Sequence, residues 1–405
     1  MNDSVRPVFV STYPPEACGL ATFTKDLADA VDLAAGLPVS TVAAIEKISG
    51  VDETDARITH VIDNDLPGAY RFAAEAVNDG PGNVVSLQHE FGLYSGAWGS
   101  DVLDFMEQCT KPIVTTLHTL LPDPAPLPLR LIRKIASRSR SVVVMTQIAA
   151  RLLVEVYGVD SHRVKVIPHG VPQVPFGRDG SSKARLGLAG RRVICTFGLI
   201  NRGKGLEHMV RGMRDVVVAC PDALYLIVGT THPQVRRQEG ESYREELQTQ
   251  AEALGLREHV RFVNRYLDLP DLLSLLQACD VFVTPYPGKD QIASGTIAYA
   301  MAIVGAVVST PYLYAQEVLA GGRGIIVPFS DSSAMAEAAV RLLTDDRLRA
   351  KTRWRAYQYV RQMFWPTVGK RYLDLFGQVA VANPARRLSR VGEIIERVAA
   401  VPAGE

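Results

Sequence analysis

Short runs of β-branched and aliphatic residues recur along this chain at helix-length intervals, and they do so in two separate series. Residues 8–11, 84–87, 113–117, 141–145 and 164–167 form the first. Residues 193–197, 224–228, 260–263, 281–284, 306–309 and 324–327 form the second. Continuous apolar runs of this length, each followed by room for a helix, are the pattern of strands buried on both faces of a parallel sheet. Between the series lies a stretch rich in Gly, Pro and Ser, residues 170–190, which reads as a linker. The expected fold is therefore α/β, with two Rossmann-like doubly wound domains facing a cleft. In such sheets ligands bind beyond the carboxyl ends of the strands, so the loops there are the places to search for chemistry.

Composition supports that frame and removes several classes. A chain of 405 residues is comfortable for two cores, with 47% hydrophobic and 21% charged residues. The net charge of +1 gives no global field to draw in nucleic acid. Five scattered cysteines show no CxxC pair and no zinc-ligand spacing, which suggests buried free thiols in a reducing compartment. No secretory leader is recognisable at the N-terminus, and no apolar run approaches the ~20 residues of a membrane span. The expected location is cytoplasmic. A basic run, Arg130, Arg133, Lys134, Arg138 and Arg140, reads as a solvated helix face, with weak peripheral attraction to anionic lipid as the minority reading. After about residue 354 the pattern changes to helically spaced aromatics interrupted at Pro366, which should kink or restart the helix. An Ala-, Arg- and Val-rich remainder reads as a peripheral helix.

Five loops at expected strand ends carry candidate chemistry. Tyr13-Pro14-Pro15 through Gly19 follows the first strand and opens a helix, whose free amides suit an anion. His89 and Glu90 follow the second strand run, and His118 the third; a lone histidine is more often a structural donor than a catalyst. In the second half, Gly198 to Gly205 includes Arg202 and a glycine-flanked Lys204, a point charge suited to phosphate although the GxxxxGK[ST] spacing is absent. Ser294-Gly295-Thr296 opens an apolar helix and offers hydroxyls, amides and no Cβ at the closest point, while the plain alternative is an N-cap. Asp63-Asn64-Asp65 has DxD spacing but stands before Leu66-Pro67-Gly68 as a turn would, so no metal site is assigned.

Taken in order, these motifs resemble glycosyltransferase family four, retaining enzymes of the GT-B fold, over roughly residues 8–376. Tyr13 to Gly19 is similar to that family's glycine loop, and Ile167-Pro168-His169-Gly170-Val171 to its interdomain signature, with histidine where asparagine is usual. Gly198 to Gly205 is similar to its phosphate-lysine loop, and the Phe364-Trp365 region to its crossing C-terminal helix. The resemblance implies an acceptor domain over 1–172, a donor-binding domain over 191–355 and helices over 356–405 that cross back. It implies transfer of a hexosyl group from a nucleoside diphosphate sugar to a carbohydrate or small-molecule acceptor, with retention, and without metal or other cofactor. Gly19, Gly198, Arg202, Lys204, Ser294, Gly295, Thr296 and Tyr299 would bind the donor. His118, Lys204 and Gln291 would serve catalysis, and His89 and Glu90 the acceptor.

The departures are as informative. The family's two glutamates, eight positions apart, are here Gln291 and Tyr299, and its arginine in the lysine loop is Leu199, so that Arg202 would have to supply the charge. Loss of the ribose-binding carboxylate motivates two competing readings: a glycoside phosphorylase on the same fold, or a catalytically silent protein that binds a sugar or a partner.

Overall fold

The computed structural model describes residues 5–47, 50–177 and 181–381. The first sheet contains β1 (Pro7–Ser11), β2 (Thr41–Glu46), β3 (Ile58–Asp63), β4 (Val84–His89), β5 (Ile113–Leu117), β6 (Ser141–Val144) and β7 (Val164–Val166). Its strands are parallel, in the order β3-β2-β1-β4-β5-β6-β7. The second contains β8 (Arg192–Phe197), β9 (Ala223–Val228), β10 (Val260–Val263), β11 (Val281–Thr284), β12 (Val307–Ser309) and β13 (Ile325–Ile326), in the order β10-β9-β8-β11-β12-β13. It too is parallel throughout. β1, β4, β5 and β9 are buried along their whole length, which is why they read as unbroken apolar runs.

Strand order reverses between β1 and β4 in one sheet and between β8 and β11 in the other. These two switch points set the crevice: the loops after all four strands open onto it.

The strand runs read from sequence fall on observed strands to within a residue or two, but β2 and β3 went unrecognised. Thr41–Glu46 is alanine-rich and Ile58–Asp63 carries Thr, His and Asp on a half-exposed edge, so neither looks like a buried strand. The linker is not structureless, since Ser181–Arg185 makes a short helix.

Several contacts join the halves. Val171 bridges to Phe364, with Val171 N donating to Met363 O at 2.8 Å and Trp365 N to Val171 O at 3.0 Å. The closing helix Trp365–Val381 restarts with Pro366 in its first turn, where a missing N–H costs nothing, and packs against the first helix, Gly19–Ala35. Its Gly369 lies where a Cβ would come within 2.3 Å of Ala30 O. On the other side Glu317, on the helix Leu313–Val318, accepts from Gln147 N at 2.9 Å and Ile148 N at 2.8 Å, at the start of the helix Gln147–Glu155. A carboxylate from one half thus sits on the positive end of a helix in the other. Of the aromatic stripe, Phe364, Tyr372 and Phe376 are buried, whereas Trp354 is 51% exposed beside Phe176. Packing therefore explains only part of it. The expected peripheral helix lies beyond residue 381, outside the described residues.

Candidate active site

On the N-terminal edge of the crevice, β1 leads through Tyr13 into the first helix. Cys18 caps that helix: its Sγ accepts from Ala21 N at 3.3 Å and lies 3.2 Å from Thr12 Oγ1. Burial raises the Cys18 thiol above its ordinary range, so it stays protonated. Gly19 follows, and a Cβ placed there would meet nothing within 4 Å. The space in front of this helix start is open.

His118 stands after β5. Its Nε2 is 2.9 Å from Gln88 Oε1, and Gln88 Nε2 in turn donates to Ser86 Oγ at 3.2 Å. Because Gln88 presents its oxygen, His118 carries its proton on Nε2 and keeps Nδ1 as an acceptor. Burial first, then the neighbouring His169 and His89, lower its pKa to about 3. His118 is thus a neutral, oriented hydrogen-bonding group and not a proton shuttle near pH 7. Phe23 packs edge-on against it, ring centroids 4.8 Å apart.

Of the two residues at the end of β4, His89 is not placed as the sequence suggested. His89 is wholly buried, stacked on Tyr94 at 6.1 Å and edge-on to Phe91 at 5.5 Å, and neither ring nitrogen has a hydrogen-bond partner among the described residues. Burial lowers its pKa to about 3. It cannot touch an acceptor in this conformation, which corrects that expectation. Glu90 is partly exposed, and burial raises its carboxyl above the usual range while Lys47 works against the rise.

The C-terminal edge is built differently. Gly198 ends β8 with φ +122°, and a Cβ there would lie 3.3 Å from both Lys204 Nζ and Thr296 Cγ2. Lys204 Nζ donates to Tyr286 OH at 2.6 Å, Tyr286 OH lies 3.0 Å from Thr296 Oγ1, and Thr296 Oγ1 lies 3.0 Å from Ser294 Oγ. Burial lowers the Lys204 pKa to about 8. Among the described residues Lys204 makes no ion pair. His232, after β9, has its pKa lowered by burial first, then by the charges of Lys47 and Lys204. Ser294 is the N-cap of the helix Gly295–Ile303, its Oγ accepting from Ile297 N at 3.4 Å. The first amides of that helix have no intrahelical partner by construction.

Gly295 serves another purpose than the one expected. A Cβ there would sit 3.0 Å from His169 Nε2, so the glycine makes room for histidine and not for a ligand. His169 donates from Nδ1 to Gly170 O at 2.7 Å, and burial lowers its pKa to about 4. Gly170 is packed against Trp365, with only 2.1 Å from a would-be Cβ to the indole.

Two donor assignments are corrected by side-chain commitments. Arg202 is bound by Glu246 at 2.6 and 2.8 Å, with Glu239 at 3.6 Å, so its charge is neutralised on the surface. Tyr299 OH donates to Asp26 Oδ2 at 3.0 Å, across the two halves, and is not free for a ribose. Burial raises the Asp26 pKa to about 6. Gln291 is exposed, its Nε2 donating to Ala293 O at 2.9 Å. Among the described residues no group of three or more His, Cys, Asp or Glu could hold a metal ion, and Asp63 instead accepts from Asp65 N at 2.9 Å in a turn.

Sequence reasoning missed Gln88, Tyr286 and Asp26. The first two lie within or just after strand runs that had been read, and attention to every polar residue at a strand end would have found them. Asp26, seven residues into a helix, left no such signal.

Comparison with known proteins places this geometry. Residues 191–345 match a profile described as glycosyl transferases group 1, and residues 91–173 one described as Glycosyltransferase Family 4. A phosphatidyl-myo-inositol mannosyltransferase from Mycolicibacterium smegmatis is 26% identical over 301 residues, covering 72% of this chain and 73% of that protein. A D-inositol 3-phosphate glycosyltransferase from Xylanimonas cellulosilytica is 27% identical over 305 residues, 69% of each. Among solved structures, Anabaena Alr3699/HepE in complex with UDP superposes with a TM-score of 0.73 at 17% identity, over 92% of this chain and 100% of that one. Sucrose-phosphate synthase from Thermosynechococcus elongatus gives 0.75 at 19%, over 93% and 100%. At such identities the structures speak for the fold alone.

Proposed function

Because this chain belongs to glycosyltransferase family four, with the GT-B fold, we propose that it moves a hexosyl group from a nucleoside diphosphate sugar to an acceptor hydroxyl, with retention of configuration and without a divalent metal. The observation that carries this reading is Lys204. It is a cation with no carboxylate partner among the described residues, held at a glycine turn beside the N-terminus of a helix, at the switch point of the second sheet. A diphosphate is the ligand such a place suits. The ammonium, the amides of Gly295 and Thr296 and the Thr296 hydroxyl stabilise charge as it builds on the leaving group. The open space before Gly19 gives room for the donor on the opposite edge.

His118 then accepts a sugar hydroxyl through Nδ1, and Glu90 and Lys47 stand on the acceptor side. Two features support retention by front-face attack, with the departing phosphate taking the acceptor proton. The usual site of the first glutamate holds an amide, Gln291, and the histidines nearby are held neutral. GDP-mannose, the donor of a similar mannosyltransferase from Corynebacterium glutamicum, and UDP-glucose, bound to Anabaena Alr3699/HepE, supply the first probes.

One observation favours a second reading. Tyr299, engaged with Asp26, leaves no carboxylate for a ribose, which suits a glycoside phosphorylase taking inorganic phosphate at Lys204. One experiment separates the two. UDP-glucose, GDP-mannose and inorganic phosphate with a disaccharide are offered in parallel, with and without chelator, and product anomers are read by NMR. Release of nucleoside diphosphate with a retained anomer, unaffected by chelator, supports transfer. Inversion, restoration by magnesium after chelation, or sugar phosphate formation refutes it.

A further inference from the structure

The geometry points to Tyr286 as the positioning residue for Lys204, a hydroxyl standing where charge would otherwise have to hold the lysine. This rests on the assignment of Lys204 to the donor diphosphate.

A lysine ammonium has three donors and no acceptor, so Tyr286 must accept from Lys204, and its own hydrogen is free to run on toward Thr296. Thr296 continues to Ser294, the cap of the helix. The ammonium is therefore tied through hydroxyls to the helix N-terminus that faces the same ligand. Tyr286 is itself fixed. It is 3% exposed, its ring stacks on Tyr312 with centroids 5.4 Å apart and planes 14° from parallel, and its carbonyl accepts from Thr310 Oγ1 at 2.6 Å.

A neutral partner has a physical advantage over a carboxylate. A carboxylate would hold Lys204 in place but cancel its charge and draw it away from an incoming anion. A phenol holds the ammonium and leaves the full charge for the ligand. Burial pushes the Tyr286 phenol up to about 12, so it stays neutral while Lys204 is charged.

The test is a double-mutant cycle in the full chain, with Tyr286→Phe, which keeps the stacked ring, and Lys204→Ala. UDP, GDP and inorganic pyrophosphate are titrated by calorimetry, and turnover is measured with UDP-glucose and GDP-mannose. Melting curves for each variant confirm folding. Tyr286→Phe should weaken diphosphate binding three- to tenfold and turnover by more than that, while in the Lys204→Ala background it should change neither by more than about twofold, because contacting residues are coupled. The basic limb of the binding–pH profile should move to lower pH in Tyr286→Phe, since the ammonium loses an acceptor. His232 and Lys47 share that field and remain in both proteins. Equal effects of Tyr286→Phe in the two backgrounds, or wild-type behaviour in the single variant, would overturn the inference. If Lys204→Ala itself binds and turns over as wild type, or if none of the three diphosphates binds the wild type, the assignment of Lys204 fails first.

Discussion

The two halves share one architecture and use its switch point in opposite ways. At the carboxyl ends of β4 and β5 the first half places Gln88 and His118, both uncharged, with Phe23 against His118, and buries a neutral His89 against Phe91 and Tyr94. Beyond β8 and β11 the second half places an unpaired lysine, two hydroxyls, a phenol and a helix N-terminus. The difference lies in what fills the strand-end loops, not in the sheets. A crevice whose first wall orients through neutral hydrogen-bonding groups at its strand ends, and whose second carries a free positive charge, can position a sugar on one side and stabilise a leaving anion on the other.

That contrast can be broken most severely where the halves join. Gly170→Ala drives a Cβ into the Trp365 indole, at 2.1 Å, and should cost about 3 kcal/mol or more, as overpacking at a rigid site does. A drop of several degrees in melting temperature checks it, and an unchanged melt would mean the closing helix is not held there.

On the neutral wall, His118→Ala should lower turnover by about tenfold or more through a lost oriented hydrogen bond. Because its pKa is near 3, the wild-type rate should show no histidine limb from His118 between pH 5 and 9. A limb near pH 6.5 that vanishes in the variant would make His118 a titrating base after all.

A smaller effect is expected at the contact between halves. Asp26 has a folded pKa raised to about 6 by burial, above its unfolded value, so the folded state binds the extra proton. Its contribution to stability therefore falls as pH rises from about 4 to above 6, the reverse of a salt-bridged carboxylate. Asp26→Asn, which keeps an acceptor for Tyr299, should melt a few degrees above wild type at pH 7.5, and the gap should close toward pH 4. A constant gap would deny the raised pKa. Least of all should follow from Arg202→Ala. With its guanidinium bound to Glu246 and Glu239, its loss should change turnover by less than about twofold. A tenfold loss would return Arg202 to the phosphate.

The sheets were legible because buried parallel strands announce themselves as apolar runs, and the places for chemistry followed from the rule about strand ends. β2 and β3 were not, since one is alanine-rich and the other lies half-exposed with polar residues interleaved. Lys204 and the Ser294 cap were legible as types at positions. Where Arg202 and Tyr299 turn their side chains was not, because that depends on partners distant in sequence, Glu246 and Asp26; nor was the burial of His89, whose partners Phe91 and Tyr94 are near in sequence but meet it only through the fold of the loop after β4. Gly295 shows the same limit. The need for a missing Cβ could be read, but not that His169 is what occupies the space.

The most direct measurement of the central claim is turnover and melting of Lys204→Ala, side by side, with UDP-glucose and GDP-mannose as donors. Loss of a charge-assisted contact of roughly 1.5–3 kcal/mol should reduce turnover by about 10- to 150-fold. Since burial already lowers the Lys204 pKa to about 8, removal of the ammonium should leave the melting temperature unchanged or slightly higher. Wild-type kcat/KM should fall as pH rises above about 8, where the lysine loses its charge, and that limb should be absent from the variant. Wild-type turnover in Lys204→Ala, whatever its melting temperature, would contradict the account.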